Sequence, residues 1–150
     1  MPAIVELYKK TMKSIYLAIF FMAFAFAKAN SQNTLTLQLS DIESTEGTLY
    51  FSLFNSSDGF PDDENKDYRS QKITDFKKNQ DIVFKDLPDG VYAVTFFQDE
   101  NANEKVDTNF FGIPTEPVGA SNMDGLGRPK FRKCKFTISS DRTMKIQFMN

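Results

Sequence analysis

The sequence predicts an all-β domain, an antiparallel β-sandwich of about seven strands that follows an amino-terminal signal peptide. Apolar side chains recur at every second position in six short segments after residue 30. Turn-forming clusters such as SSDG, LPDG and SSDR separate several of these segments. No segment after residue 30 shows a long helical period. Half-buried strands are therefore predicted, and six or seven of them in a domain of this size are typical of a sandwich.

The six segments are TLTLQL, GTLYFSLF, DIVF, VYAVTFF, KCKFTI and RTMKIQF. Their alternation places the following residues on the inner face: Leu35, Leu37, Leu39, Leu49, Phe51, Leu53, Ile82, Phe84, Tyr92, Val94, Phe96, Cys134, Phe136, Ile138, Met144, Ile146 and Phe148. We expect Leu37, Phe51, Val94, Phe136 and Ile146 to share one core.

The only cysteine, Cys134, is predicted to lie inside on a strand as an inert core thiol. Lys133 and Lys135 alternate with it, so a solvated outer face is expected for both lysines. With a single cysteine the chain forms no internal disulfide.

Residues 1–29 have the pattern of a secretory signal peptide. Lysines in YKKTMKS precede IYLAIFFMAFAFA, an apolar run of 13 residues, and AKA then predicts a cut ahead of Asn30. As a helix the run would span about 20 Å, which is less than a bilayer core of about 30 Å. A stable membrane anchor is therefore not expected after cleavage. MKSIYLAIFF is a complete signal by itself, so either Met1 or Met12 can be the start.

The mature domain is predicted to cover residues 30–150 and to be secreted or periplasmic. Removing residues 1–29 takes four Lys and one Glu from 18 basic and 20 acidic residues, which leaves 14 and 19, a net charge of −5. This balance argues against nucleic acid as a partner.

Two connections, residues 55–70 and the long loop 99–130, exceed the usual loop length. Such loops are uncommon unless they are functional, disordered or organised by something other than strand pairing.

The long loop opens with DENANEKVDTN, which spaces oxygen-bearing groups as a calcium loop does. Asp99, Asn101, Asn103, the Lys105 carbonyl and Asp107 occupy the first, third, fifth, seventh and ninth positions. Ca²⁺ prefers such a mixture of six to eight oxygens. The alternative is an Asn- and Asp-rich turn that forms without a metal.

Two positions depart from that pattern. The sixth position, which normally takes Gly for a sharp turn, is Glu104, and the twelfth is Phe110 in place of a bidentate Glu. Glu116 is the nearest candidate for the remaining Ca²⁺ ligand.

The segment NFFGIPTEPVGASN follows, and we expect Phe110 and Phe111 to hold it against the sandwich, either as a rigid loop or as a binding surface.

Enzyme signatures are mostly absent. The chain has no His, the commonest general base and the usual catalytic zinc ligand, and it has no G-x-S-x-G motif. Asp and Glu are plentiful, so the sequence does not exclude a pair of carboxylates that hydrolyses glycosides. We expect a protein that is not an enzyme.

Three motifs in order, LPxGxYA, DENxNxxxD and GIPxExxGxSN, lie within residues 84–122. In this combination the chain resembles the bacterial domain-of-unknown-function 2141 family, exported proteins with no established activity. The resemblance implies an immunoglobulin-like or transthyretin-like sandwich. It also relates DENxNxxxD to the calcium loops of repeat modules in bacterial surface adhesins, although family members commonly have Gly where Ala102 and Glu104 stand here.

Two functions follow as hypotheses. The first is an exported structural or interaction module with a loop ordered by Ca²⁺, whose partner is a protein or glycan at the cell surface or in the periplasm. The second is a carbohydrate- or small-ligand-binding module. The absence of Trp argues against the second, because only Tyr50, Tyr68 and Tyr92 remain after cleavage as platforms for a sugar.

Overall fold

The structure is a computed structural model that describes residues 12–13, 32–125 and 127–149. The predicted signal peptide therefore lies outside the described residues, apart from Met12 and Lys13. Residues 31–150 form a compact unit of their own. Its described part contains eight strands: β1 (Asn33–Leu39), β2 (Thr48–Phe54), β3 (Arg69–Ile73), β4 (Gln80–Leu87), β5 (Gly90–Asp99), β6 (Val118–Ala120), β7 (Phe136–Ile138) and β8 (Arg142–Ile146). A short 3-10 turn covers Glu64–Lys66, and a one-turn helix covers Phe131–Cys134.

The strands form two sheets, which confirms the predicted β-sandwich. One sheet has the order β4-β1-β8; the other has the order β3-β2-β5-β6, and β7 pairs with the start of β5. One pair departs from the predicted antiparallel arrangement, because β1 and β8 run parallel. Parallel neighbours need a long crossover connection, and here the whole of the intervening domain supplies it. None of the helical segments in the described part of the chain has the length and apolar character that a bilayer crossing requires.

The core lies between the two sheets. Leu37 and Ile146 from one sheet and Phe51, Val94 and Phe136 from the other belong to the same buried cluster, as predicted. Alternation explains this result, since a strand buries every second side chain when one of its faces is covered. Burial of β1 follows this rule along its whole length.

A tyrosine fixes the turn between β4 and β5. The hydroxyl of Tyr92 donates to the carbonyl of Pro88 over 3.0 Å. A tyrosine near a strand start that bonds to backbone just upstream is the tyrosine corner of Greek-key sandwiches. Burial raises the pKa of the Tyr92 hydroxyl, so it stays a hydrogen-bond donor at neutral pH.

The prediction for KCKFTI was partly wrong. Cys134 ends the one-turn helix, and the strand begins only at Phe136. Lys133 therefore lies on the helix and not on a strand. The Cys134 side chain is fully buried, but it packs with Ala93 and Ala120 in a small second cluster, apart from the main core. Burial raises the pKa of its thiol, which agrees with an inert cysteine.

Side-chain hydrogen bonds from Ser121 and Asn122 hold this helical turn in place. The Ser121 hydroxyl donates to the Cys134 carbonyl over 2.8 Å and accepts from the backbone of Val94 over 2.9 Å. The Asn122 amide donates to the carbonyls of Cys134 and Lys135. The alternation pattern in this segment gives no sign of these bonds.

Two strands were not predicted. β3 lies beside β2 and has no buried side chain, so it lacks an apolar alternation that would reveal it. β6 is three residues long and contains Gly119. A Cβ at that position would lie 2.1 Å from the Phe96 ring, so the close pairing of β6 with β5 requires glycine.

Candidate functional site

The candidate calcium loop begins at the end of β5 with Asp99, whose side chain is buried. One carboxylate oxygen accepts the backbone N–H of Asn103 over 3.2 Å, and the other accepts that of Glu104 over 2.9 Å. The backbone of the loop therefore curls around this carboxylate. Gly47 lies against the backbone of Asp99, because a Cβ at residue 47 would approach the Asp99 carbonyl oxygen to 2.1 Å.

The two asparagines of the loop form successive side-chain turns. The Oδ1 atom of Asn101 accepts the Asn103 N–H over 3.1 Å, and Oδ1 of Asn103 accepts the Lys105 N–H over 2.9 Å. The amide groups of both asparagines also donate to the Asp107 carboxylate. The polar groups of Asn101, Asn103 and Asp107 thus lie within hydrogen-bond distance of one another.

The sharp turn expected of a calcium loop is present at its sixth position. Glu104 has a φ of 61° and Ala102 a φ of 63°. This left-handed conformation costs an L-residue roughly 1–2 kcal/mol, which is why Gly normally stands at the sixth position. The chain therefore adopts the turn although it lacks the glycine.

The side chain of Glu104 ties this turn to the neighbouring sheet. Its carboxylate lies 2.8 Å from the ammonium of Lys72 and 3.4 Å from the hydroxyl of Tyr50. The hydrogen bond from Lys72 holds the pKa of the Glu104 carboxyl below its usual range. These contacts offset part of the conformational strain at residue 104.

Glu116 closes the loop from the far side. It is buried, and its two carboxylate oxygens accept the backbone N–H groups of Glu100 and Asp107, each over 3.0 Å. One side chain therefore joins the first turn of the loop to its ninth position. Sequence reasoning assigned Glu116 only as a metal ligand and did not reveal this bridging role.

The described residues contain no group of three or more Asp, Glu or Cys side chains arranged to hold a metal ion. The loop contains two carboxylates of the candidate ligand set: Asp99 accepts the backbone N–H of Asn103, and Asp107 accepts the side-chain amides of Asn101 and Asn103. Lys105 follows with an exposed side chain. Phe110, at the twelfth position, is 97% exposed and has no oxygen on its side chain to contribute.

The expectation that Phe110 and Phe111 hold the loop against the sandwich was wrong. Phe111 is 82% exposed, and the two rings contact each other at 5.5 Å between centroids. The loop is held instead by the Glu116 carboxylate and by a backbone bridge between Thr108 and Pro114. Because polar bonds already fix the loop, its aromatic side chains are left facing outward.

An open groove of about 980 Å³ lies beside this loop on the outer face of β2 and β5. Segments 61–65 and 104–114 form its two walls. Tyr50 and Phe97 pair across these strands with rings 4.9 Å apart and nearly parallel. The Lys72 ammonium lies 5.0 Å from the Tyr50 ring centroid. The Tyr50 ring is therefore already engaged by Phe97 and by Lys72, and it offers a sugar little surface.

Replacing Glu104 tests whether the left-handed turn exists in solution. Glu104→Gly and Glu104→Ala both remove the contact with Lys72. A positive φ at residue 104 destabilises the folded state of the Ala variant only. We expect the Gly variant to have a free energy of unfolding about 1 kcal/mol higher than the Ala variant. Urea unfolding of both variants measures the difference. Equal stabilities would show that residue 104 does not hold this conformation.

Comparison with known proteins identifies a family. A family model described as an uncharacterised protein conserved in bacteria, DUF2141, matches residues 37–147. That range spans the sandwich from β1 to the end of β8 and includes the whole candidate loop. No curated protein and no solved structure matches the chain.

Proposed function

We propose that this chain, which belongs to the DUF2141 family of uncharacterised bacterial proteins, is an exported, non-catalytic interaction module in which Ca²⁺ orders the loop 99–107. The observation that carries the proposal is the backbone of that loop. Glu104 adopts a φ of 61° at the position where a calcium loop turns sharply, and its N–H is bonded to the carboxylate at the first position, Asp99.

The side-chain oxygens of the loop keep the capacity to bind a cation. Each oxygen of Asp99 accepts one backbone N–H, as do Oδ1 of Asn101 and Oδ1 of Asn103. An oxygen of this kind has two lone pairs, so one is left for a metal. Asp99, Asn101, Asn103, Asp107 and the Lys105 carbonyl would supply the ligands, and Glu116 or water would complete them.

The charge of this ligand set implies weak binding. Asp99 and Asp107 are the two carboxylates among the first five ligands, and affinity in calcium loops rises with the number of charged ligands. We therefore expect a Kd on the order of 10⁻⁴ to 10⁻³ M, as in other extracellular modules. Such a site is occupied only where calcium is abundant.

A calcium titration followed by amide NMR tests the proposal directly. The amides of Asn103, Glu104 and Lys105 should shift and saturate in the stated concentration range, while amides of the β1–β4 pair stay unchanged. Magnesium should shift them less, because it prefers a tighter octahedron and retains its water. Amide chemical shifts that stay unchanged up to 10 mM calcium, well above the expected Kd, would refute the calcium proposal.

Export rests on the signal-peptide pattern in residues 1–29. We expect the exported protein to begin at Asn30, since AKA precedes that residue after the apolar run. Intact-mass measurement on the mature protein decides this point. A chain that retains residues 13–29 in the membrane fraction would contradict it.

The proposal of a non-catalytic role is supported by the absence of His from the sequence. In the connection 55–70, Asp58 makes an ion pair with Lys66 and Asp62 makes one with Arg128, at 2.9 Å each. These exposed pairs engage two of the five carboxylates of residues 55–70 as surface contacts.

A second candidate function, small-ligand binding, is favoured by the groove on the outer face of β2 and β5. Its floor and walls combine apolar surface with Lys105, Arg128 and Glu64, which suits a small amphipathic molecule. A screen for ligands that raise the melting temperature separates the two functions. A hit whose effect is lost when Ser52→Trp fills the floor would establish the groove as the binding site.

A further inference from the structure

The first half of the long loop contains an exposed apolar projection, residues 108–115, which we call the apolar tip. Phe110 is 97% exposed, Phe111 82% and Ile113 51%. The two Phe rings meet edge to face, so their side chains form one patch. Single exposed apolar residues are ordinary, but a contiguous patch of large ones marks an interaction site.

The tip has a defined conformation because one asparagine organises it. Oδ1 of Asn109 accepts the backbone N–H of Phe111 over 2.9 Å and that of Ile113 over 3.1 Å. Gly112, with a φ of 75°, allows the chain to reverse at the apex. The two Phe side chains are therefore presented by a fixed turn.

The backbone of the tip satisfies most of its own hydrogen-bond donors. The N–H of Asn109 donates to the carbonyl of Ile113, and the N–H of Gly112 donates to the carbonyl of Asn109. The N–H of Thr115 donates to the carbonyl of Asp107. Each of these bonds is 2.9 Å long. Residue 114 is Pro and has no N–H. Five backbone donors between residues 109 and 115 are thus bonded within the loop itself.

This internal bonding indicates the chemistry of the partner. A backbone N–H that is already bonded within the loop loses no hydrogen bond to water when it leaves water for an apolar environment, so this bonding lowers the cost of inserting the tip into lipid. Residues 108–115 also contain no charged side chain, in a chain of which 25% of residues are charged. Phe is among the side chains that enter the boundary between lipid headgroups and acyl chains.

We propose that the apolar tip inserts reversibly into the headgroup–acyl boundary of a lipid bilayer and makes the domain a peripheral membrane binder. The tip carries no positive charge, and the mature domain is acidic. Binding therefore rests on the apolar side chains, and zwitterionic lipid suffices. Among the candidate calcium ligands, only Asp107 takes part in the hydrogen bonds of the tip, and it does so through its backbone carbonyl. Insertion of the tip is therefore independent of calcium.

The test uses residues 30–150, which contain the whole described core and lack the apolar leader. The sequence has no Trp, so Phe111→Trp provides a single fluorophore at the tip. With phosphatidylcholine vesicles in the presence of a chelator, its emission should shift to the blue, and brominated acyl chains should quench it. Val83→Trp, at a strand position that is 37% exposed, is the matched control and should show neither effect.

Co-sedimentation with the same vesicles gives the second measurement. Phe110→Ser combined with Phe111→Ser should lower vesicle binding at least tenfold, because transfer of one Phe side chain out of water is alone worth about a factor of ten. Val83→Ser combined with Val91→Ser should bind as the unmodified domain does. Equal melting temperatures of the two double variants would show that folding is not the cause.

Three results would overturn the proposal. The first is an unmodified domain that does not bind vesicles, and the second is binding that survives loss of both Phe side chains. The third is a blue shift of the Phe111→Trp protein that grows with protein concentration in the absence of lipid, which would assign the tip to contact with a second copy of the chain. Because the assay contains chelator, failure of calcium binding would leave these expectations unchanged.

Discussion

Phe136→Ala should lower the free energy of unfolding by roughly 3–5 kcal/mol. Phe136 is 5% exposed and belongs to the core between the two sheets. It pairs with Tyr92 across β5 and β7, and the guanidinium of Arg142 lies 5.3 Å from its ring centroid. Truncation leaves a cavity at this junction and removes the ring that Arg142 contacts. For a domain stabilised by about 5–15 kcal/mol, the loss is a large part of the total.

Val91→Ala is the matched control. Val91 lies in the same pair of strands, opposite Thr137, but is 40% exposed. We expect its truncation to cost less than about 1 kcal/mol, since surface positions seldom contribute more. Urea unfolding monitored by circular dichroism measures both variants. A Phe136→Ala protein as stable as the control would refute the assignment of Phe136 to the core.

The strands that the sequence revealed are those whose two faces differ. β1 and β2 bury alternate apolar side chains, so a period of two is visible in their letters. β3 is stabilised by backbone pairing with β2 and has no buried side chain, which leaves no such period. The helical turn at Cys134 depends on bonds from Ser121 and Asn122, more than ten residues away in the chain. Contacts of this kind lie beyond a local pattern.

In the candidate loop, too, some features follow from a local sequence pattern and others depend on contacts between distant residues. Spacing along the chain was enough to group Asp99, Asn101, Asn103 and Asp107, because alternate residues of a tight loop turn their side chains to one side. Spacing did not reveal that Glu116 joins the ends of the loop through two backbone N–H groups. It also did not show that Phe110 and Phe111 face outward, since apolar residues in a loop give no direction by themselves.

Calcium should raise the free energy of unfolding of the domain by an amount that depends on the Kd of the loop for calcium. A ligand that binds only the folded form stabilises it by RT ln(1 + [Ca²⁺]/Kd), about 2.7 kcal/mol at a hundredfold excess over Kd. For a domain of this size, that corresponds to a rise in melting temperature on the order of 10 °C. Magnesium at the same concentration should raise the melting temperature less.

Variants of the loop separate metal binding from general effects on stability. Asp99→Asn removes the charge and keeps only one of the two oxygens that accept the N–H groups of Asn103 and Glu104, so it should weaken the calcium effect strongly and also lower the stability measured in chelator. Asp107→Ala should abolish the effect. Glu100→Ala is the matched control, because Glu100 is an exposed acidic neighbour outside the proposed ligand set, and it should retain the full calcium effect.

The most direct test of the calcium-ordered loop is thermal unfolding of residues 30–150 in 10 mM calcium and in chelator, a calcium level about ten- to a hundredfold above the expected Kd. We expect the melting temperature in calcium to be higher by on the order of 10 °C, and we expect Asp107→Ala to abolish the difference. Identical melting curves in calcium and in chelator would contradict the account and would leave residues 99–107 as a polar turn held by its own hydrogen bonds.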